Sequence, residues 1–277
     1  MQDIYNFLTT STTVPVYDVL MNVTTTSKTL LLLTAAACFA GDPPQTIYGA
    51  AGANPAAIQS AVTAFQNALG PLNAPGPTGD TNGRREINWD AVPAQFSAPN
   101  NLPADFFNRN SVRGVVFTAD SPAWTAFQVS ANEADGPVRF DTIQQGYSAL
   151  FPIFSPQKLF TSIGIHDYNV DFFVPGTQTK GKVKGFGAVF SNVAMPFTSA
   201  LEFYNSDGLL LGRYYAPVAA KGLSFIGVAF PNKMVTRVRV IPGNAAVGAT
   251  DNPAGGVNVV VVDDFIYGEP SSDCVAN

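Results

Sequence analysis

Two adjacent aspartates near the C-terminus, Asp263 and Asp264, interrupt an apolar segment that includes four consecutive valines at 259–262. Because adjacent residues of a strand point to opposite faces of a sheet, one of the two carboxylates is expected to face the core. A buried carboxylate needs backbone donors, an arginine or a cation, and hard oxygen ligands suit Ca²⁺. The pair therefore predicts either a calcium site or a structural carboxylate bonded to loop amides or to Arg84 or Arg85.

A second polar cluster, residues 84–90, has the sequence RREINWD. Guanidinium groups and a tryptophan face suit the recognition of sugars or carboxylates. The candidate ligand-binding residues are therefore Arg84, Arg85 and Trp89, together with Trp124. The second interpretation of residues 84–90, which we favour, is an internal ion-pair cluster that docks the first strand. The aromatic side chains that would stack on sugars, if they are exposed, are those of Trp124, Tyr147, Tyr204, Tyr214 and Tyr215.

The side chains available for catalysis are few. The chain has one histidine, His166, whereas zinc sites use several His or Cys ligands. No Gly-x-Ser-x-Gly motif accompanies it as the nucleophile of a Ser-His-Asp triad. The sequence therefore predicts a protein without catalytic activity. The enzymatic alternative is a glycosidase, with two carboxylates roughly 5–10 Å apart across a cleft, or a polysaccharide lyase that uses His166, Tyr168 and an arginine.

Residues 28–40, KTLLLLTAAACFA, have the pattern of an export signal: a positive charge, a short apolar run and small residues before a turn. The run is shorter than the about 20 residues that a membrane-spanning helix needs. We predict a start at Met21, cleavage after Ala40, and a mature chain outside the cytoplasm without a membrane span. The alternatives are a buried apolar helix or strand over 29–40 and lipid attachment at Cys38, whose preceding residues resemble a lipobox.

The charge balance argues against nucleic acid as a partner. The net charge is −5 and only 13% of the residues are charged, whereas phosphate binding requires a basic surface. This balance is compatible with divalent cations or neutral sugars. The predicted mature chain keeps one cysteine, Cys274, so no disulfide framework supports it. Stability must come from a hydrophobic core, for which 21 phenylalanines are available.

The groups that could do chemistry must be positioned by one helix and many short strands. Helical periodicity predicts an amphipathic helix over 55–69. Asn54 is a suitable N-cap, Pro55 a favoured first helical residue, and Gly70 a suitable stop. A Pro/Gly-rich linker is predicted at 71–83. The apolar stripe of the helix consists of Ile58, Val62, Phe65 and Leu69.

From residue 84 onward, apolar alternation and turn signals predict strands. In segment 234–241, Val238 and Val240 share one face and Arg237 and Arg239 the other, as in a half-buried antiparallel strand. The fold predicted is a mainly β antiparallel sandwich, a jelly roll of lectin or galactose-binding type. The strands are predicted at 111–118, 124–130, 158–163, 169–174, 182–193, 200–204, 209–215, 223–230, 234–241 and 257–267. The predicted parts of the chain are the extension and signal (1–40), the helix and linker (41–83), the β-sandwich (84–270) and a tail (271–277).

Several segments together resemble a family of uncharacterised exported bacterial β-sandwich proteins, some of which carry PEP-CTERM sorting tails. The resemblance covers roughly residues 50–270. It implies secretion and a lectin-like sandwich, and it supplies no catalytic residues. The segments that carry it are GRREINWD (83–90), NNLPADFFN (100–108), RGVVF (113–117), FFVPG (172–176), GFGAVF (185–190) and VDDFIYGEP (262–270).

Together these observations predict an exported, non-catalytic β-sandwich that binds a polysaccharide or the extracellular matrix. Ca²⁺ at Asp263 and Asp264 is the candidate cofactor, and a structural carboxylate pair is the interpretation that we favour there. One alternative is a structural or assembly protein of the cell exterior, in which exposed strand edges pair between molecules. The other is a polysaccharide-active glycosidase or lyase on the same scaffold.

Overall fold

The computed structural model describes residues 44–77 and 82–272. The predicted signal with Met21 and Cys38, and residues 273–277 of the predicted tail, lie outside these residues. Among the described residues no helix is long and apolar enough to cross a membrane. The helices are α1 Pro55–Leu69, α2 Phe106–Arg109 and α3 Tyr147–Leu150. The strands are β1 Thr46–Gly52, β2 Arg84–Ile87, β3 Val115–Thr118, β4 Ala126–Val129, β5 Phe160–Ile163, β6 Tyr168–Phe172, β7 Gly185–Val193, β8 Ala200–Tyr204, β9 Leu210–Tyr215, β10 Ala219–Ala229, β11 Arg237–Ile241 and β12 Val261–Gly268.

Two antiparallel sheets face each other, which confirms the predicted β-sandwich. The larger sheet has the order β1-β10-β7-β12-β5-β4, with β2 also paired to β12, and the smaller has the order β3-β6-β11-β8-β9. Strands β5 to β12 supply β10-β7-β12-β5 to one sheet and β9-β8-β11-β6 to the other. This is the double Greek-key order of a jelly roll. Strands β1, β3 and β4 extend its edges.

The core between the sheets is built from aromatic side chains. Trp89 stacks on Phe160 with ring centroids 4.3 Å apart, and Phe117 lies 4.8 Å from Phe160. Phe265 and Tyr168 meet the same group edge to face. Each of these large, fully buried rings removes a large apolar area from water on folding, and many of the phenylalanines of the chain lie in this layer.

Helix α1 has the predicted bounds and the predicted N-cap. The Asn54 side chain accepts a hydrogen bond from the Ala57 amide, and the helix ends at Gly70. Its apolar stripe packs on the outer face of the larger sheet, against residues that include Val189, Phe225 and Ile266. The outer face of the sheet is therefore covered here rather than solvated.

Strand β1, which the sequence analysis did not predict, precedes this helix. It pairs antiparallel with β10 over seven residues, from Thr46 opposite Ala229 to Gly52 opposite Leu223. Its sequence, TIYGAAG, lacks the alternation that marks a half-buried strand. The segment before residue 84 thus contributes an edge strand and a covering helix to the same compact unit as the later strands.

Close packing of α1 depends on two glycines in the middle of the larger sheet. Gly187 of β7 lies opposite Gly227 of β10, and the Phe65 ring rests on both. A methyl group at Gly187 would lie 2.8 Å from Phe65 Cε1 and 3.0 Å from the Gly227 Cα. The close approach of α1 to the sheet therefore requires a residue without a side chain at Gly187.

We expect Gly187→Ala to lower the free energy of unfolding by about 1–3 kcal/mol, because overpacking displaces Phe65 or the sheet. A matched control is Gly49→Ala in β1, whose added methyl group meets its nearest atom at 3.6 Å. Denaturant unfolding of both variants measures the difference. Equal stability of the two variants would contradict the packing argument.

Candidate functional site

Strand β12 changes its hydrogen-bonding partner half-way along one edge. Its first half pairs with β5 at Val262, and its second half pairs with β2 from Phe265 to Gly268. On the other edge, the register with β7 shifts between Val262 and Phe265, which marks a β-bulge. Asp263 and Asp264 are the residues within this irregular step.

The bulge brings both aspartate side chains to one hydroxyl group. Ser155 Oγ lies 3.1 Å from Asp263 Oδ1 and 2.6 Å from Asp264 Oδ1. The Phe154 amide donates to Asp263 Oδ2 at 2.6 Å. The expectation that the two carboxylates point to opposite faces is wrong, because the bulge breaks the alternation on which it relied.

Both carboxyl groups have raised pKa values. Burial, and then the neighbouring Asp264, raise the pKa of Asp263 well above its usual range; its side chain has no exposed surface. Burial also raises the pKa of Asp264 to about 6, although hydrogen bonds from Asp263 and Ser155 lower it. Two close carboxyl groups in a low-dielectric site cannot both ionise cheaply, so a protonated Asp263 donates to an Asp264 that titrates near pH 6.

These contacts are those of the structural alternative, a carboxylate bonded to a loop amide. Arg84 and Arg85 bond elsewhere. Within residues 44–77 and 82–272, no group of three His, Cys, Asp or Glu side chains is arranged to hold a metal ion. Calcium at Asp263 and Asp264 stays a prediction, which the thermal melts described below test.

Arg85 forms an internal ion pair rather than an exposed recognition group. Its side chain is 1% exposed, and its Nε and Nη2 donate to Glu269 at 2.5 and 2.8 Å. The same guanidinium donates to the carbonyls of Ala74, Gly76 and Val112. This is the second interpretation of the cluster, an ion pair that docks the first strand of the region, here β2. It ties the loop after α1 to the end of β12.

Arg84 holds a neighbouring carboxylate in place. Its Nε donates to Glu86 Oε1 at 2.7 Å, and its Nη1 donates to the Gly70 carbonyl at the end of α1. Gln66 of α1 donates to the same Glu86 oxygen at 2.8 Å. Arg84 therefore orients Glu86 and joins α1 to β2.

The two predicted tryptophans lie apart. Trp89, 1% exposed, turns the chain at the end of β2 with φ of 65°, and its Nε1 donates to the Asp263 carbonyl at 2.6 Å. That bond satisfies a carbonyl at the irregular step of β12. Trp124 is half-buried against Phe127, and Phe127 stacks on Phe160, which stacks on Trp89. The four predicted ligand-binding residues thus do not form one exposed surface.

A groove beside these residues brings two predicted site residues, Trp89 and Asp264, together with side chains that were not predicted as a site. One cavity of about 420 Å³ is lined by Glu86, Asn88, Arg113, Asp264 and the loop at 72–75. A second, of about 320 Å³, shares Asn88 and Arg113 and has walls that include Trp89, Phe106 and Phe107. We call the two cavities together the Asn88 groove.

The Asn88 groove carries free hydrogen-bonding capacity. The Asn88 side chain is exposed and has no hydrogen bond within the described residues. Arg113 is anchored by its Nε, which donates to the Glu86 carbonyl at 3.0 Å, and by a bond to the Ser111 hydroxyl. Glu86 and Asn88 belong to the polar segment 84–90, so the sequence offered a signal for them. No local feature of the sequence marks Arg113, which only the fold brings close to them.

Comparisons with known proteins show no established relative. No protein family matches the chain, and no curated protein matches it. Among solved structures, one similar chain is the enzymatically active domain of tailspike protein 4 from bacteriophage CBA120, at 12% identity and a TM-score of 0.23. The match covers 61% of this chain and 20% of that one, and a TM-score this low allows no comparison of sites. The resemblance to exported bacterial proteins stays a prediction.

We expect Asp264→Asn to stabilise the protein above pH 6 and to have little effect near pH 4. The folded state holds a proton on Asp264 up to about pH 6, whereas the unfolded chain loses it near 3.8. The free energy of unfolding therefore falls as pH rises through this window, by at most about 3 kcal/mol. Thermal melts from pH 4 to 8 measure the difference, with Asp207→Asn in an exposed turn as the control.

If calcium binds the same pair, the free energy of unfolding in calcium should instead rise as pH rises, because a cation binds the ionised carboxylates. At pH 8, the calcium site requires a higher melting temperature in calcium than in EDTA for the native chain. Asp263→Asn and Asp264→Asn would then abolish that rise. Identical melts of the native chain in calcium and EDTA would exclude calcium binding at this pair.

Proposed function

We propose that the protein is a non-catalytic carbohydrate-binding β-sandwich and that the Asn88 groove holds the sugar. The observation that carries the proposal is the free amide of Asn88, placed where two cavities meet. Amide, guanidinium and carboxylate groups donate to and accept from neighbouring hydroxyl groups at fixed angles. The aromatic wall with Phe106 and Phe107 adds apolar surface. Ligand sites commonly combine an apolar lining with a few convergent polar groups.

The charges of the groove favour a neutral sugar. Glu86 and Asp264 face the same cavity as Arg113, so an acidic ligand would meet carboxylates as well as the single guanidinium. With the predicted export signal, this supports polysaccharide or extracellular matrix as the partner and the cell exterior as the location.

We expect Asn88→Ala to weaken binding of a neutral oligosaccharide about tenfold, the cost of one or two lost hydrogen bonds. A panel of neutral glucose, galactose, mannose and xylose oligosaccharides identifies the probe, and calorimetry gives its dissociation constant. The control is Asn232→Ala, an exposed asparagine outside the groove. Binding of no oligosaccharide, or equal affinity of both variants, would refute the proposed site.

A second candidate function, glycoside hydrolysis, is favoured by one observation. Glu86 and Asp264 line one cavity. Glu86 lies opposite Ile266, two residues from Asp264, and its charge is one of the causes that raise the pKa of Asp264. Two carboxyl groups that face one cavity are the arrangement that glycosidases use. Asp264, with a pKa of about 6, is suited to be the general acid, and Glu86 to be the base.

Release of reducing ends from the same oligosaccharides tests hydrolysis. We expect Glu86→Gln to lower such a rate at least 100-fold while binding persists, because the base acts in the transition state. Asn88→Ala would instead weaken binding. A native chain that binds but releases no reducing ends excludes this second function and leaves the first intact.

A further inference from the structure

The outer face of the smaller sheet carries a ladder of charged and aromatic side chains. Inward residues such as Val170, Val238 and Leu201 are fully buried in the core. The outward residues alternate with them, since side chains of a strand alternate between faces. Across the strands they are Thr118 of β3, Asn169 and Asp171 of β6, Arg237 and Arg239 of β11, Glu202 and Tyr204 of β8, and Arg213 and Tyr215 of β9. We call this surface the arginine face.

The carboxylates of the arginine face already have cationic partners. Glu202 pairs with Arg213 at 2.7 Å and with Arg239 at 3.6 Å. Arg239 also donates to Asp167 at 2.5 Å. The Asp171 carboxylate accepts from the Thr118 hydroxyl at 2.7 Å and lies 3.4 Å from Lys180 Nζ. The negative charges of the face are therefore neutralised locally.

Arg237 differs from the other basic residues of the face. It lies on β11, the central strand of the sheet, and its Cζ is 4.3 Å from the centroid of the Tyr204 ring. Within residues 44–77 and 82–272 its guanidinium has no ion pair and no hydrogen bond. The position over the ring leaves the five N–H donors of the planar guanidinium without a protein acceptor.

A second pair of the same kind lies at the edge of the sheet. Arg213 Cζ is 5.8 Å from the Tyr215 ring centroid, and the side chain of Arg213 is 43% exposed. The Tyr215 ring is itself exposed and meets the exposed Phe197 edge to face. Because β9 and β11 are separated by one strand, the two guanidinium–tyrosine pairs lie roughly 10 Å apart.

We propose that the arginine face binds a carboxylated polysaccharide, with Arg237 holding one uronate group. A flat guanidinium with free donors matches a carboxylate in a bidentate pair. The neighbouring tyrosine rings present flat apolar surface to the faces of sugar rings. A repeated guanidinium–aromatic pair suits a polymer with repeated carboxylates better than a single small anion. The Asn88 groove is built on the other sheet, so this surface does not depend on the proposed function.

The test uses the full chain and polygalacturonate oligosaccharides in a titration at low ionic strength, with dextran as the neutral comparison. We expect Arg237→Gln to weaken binding at least tenfold and Arg237→Lys to weaken it less, because lysine keeps the charge and loses the fork. The control is Arg109→Gln, which removes one exposed positive charge from α2, where Arg109 pairs with Asp105. Rising salt should weaken binding, since the exposed charges are screened.

A second variant is expected to change the affinity in the opposite direction. Asp171 lies opposite Arg237 in the β6–β11 register, so Asp171→Asn removes a negative charge beside the proposed uronate site and should tighten binding several-fold. Melting temperatures close to that of the native chain show that each variant folds. Equal binding of dextran, equal binding of polyglutamate, or unchanged affinity in both the Arg237→Gln and Asp171→Asn variants overturns the proposal.

Discussion

Strand β12 hydrogen-bonds to two different strands along one edge, and the Asn88 groove lies beside the point where the partner changes. The ladder passes from β5 to β2 at Asp263 and Asp264, where the bulge leaves backbone groups without strand partners. Such groups must be satisfied when they are buried. The Trp89 indole supplies one donor, and the loop at Phe154 and Ser155 supplies donors to the side chains. At the irregular step, side chains and a loop amide therefore make the hydrogen bonds that a regular strand partner would otherwise make.

The same step leaves an opening on the outer face of the larger sheet. The α1 cluster covers the part of the sheet that includes Ile266, and a second apolar cluster with Tyr147 and Phe151 covers Val259 and Val261. Asp264 lies in the chain between these covered parts. The buried Arg85–Glu269 pair fixes the loop that forms one wall of the cavity. A buried ion pair of this kind is costly to break, so the wall is rigid.

The two proposed surfaces differ in shape and charge for a structural reason. The groove arises where regular pairing stops, so it is concave and is lined by groups from four separate segments. The arginine face arises where pairing is regular, so it is flat and its residues follow the register of neighbouring strands. In the groove, Arg113 is accompanied by Glu86 and Asp264. On the face, Arg237 is free of carboxylate partners and its neighbours are already paired.

The sequence by itself determined the features that depend on local chemistry. The α1 helix has its predicted ends because capping and apolar spacing are short-range signals. Each of the ten predicted strand segments overlaps a strand, and β8 has its predicted bounds. Strand β1 was not predicted because its small residues carry no alternation, and its pairing with β10 joins residues far apart in the chain.

Only the tertiary structure decided which polar residues meet. The densest polar segment, 84–90, suggested ligand contacts for Arg85 and Trp89. The fold buries both, because their partners Glu269 and Asp263 arrive from β12 and the turn after it, more than 170 residues later. The fold also brings Asn88 and Arg113 to one groove. Arg237 differs from the other arginines of its face because the carboxylates on the neighbouring strands β6 and β8 pair with other cations. Local spacing specifies which face of an element a side chain occupies, whereas bulges and strand order determine what lies opposite it.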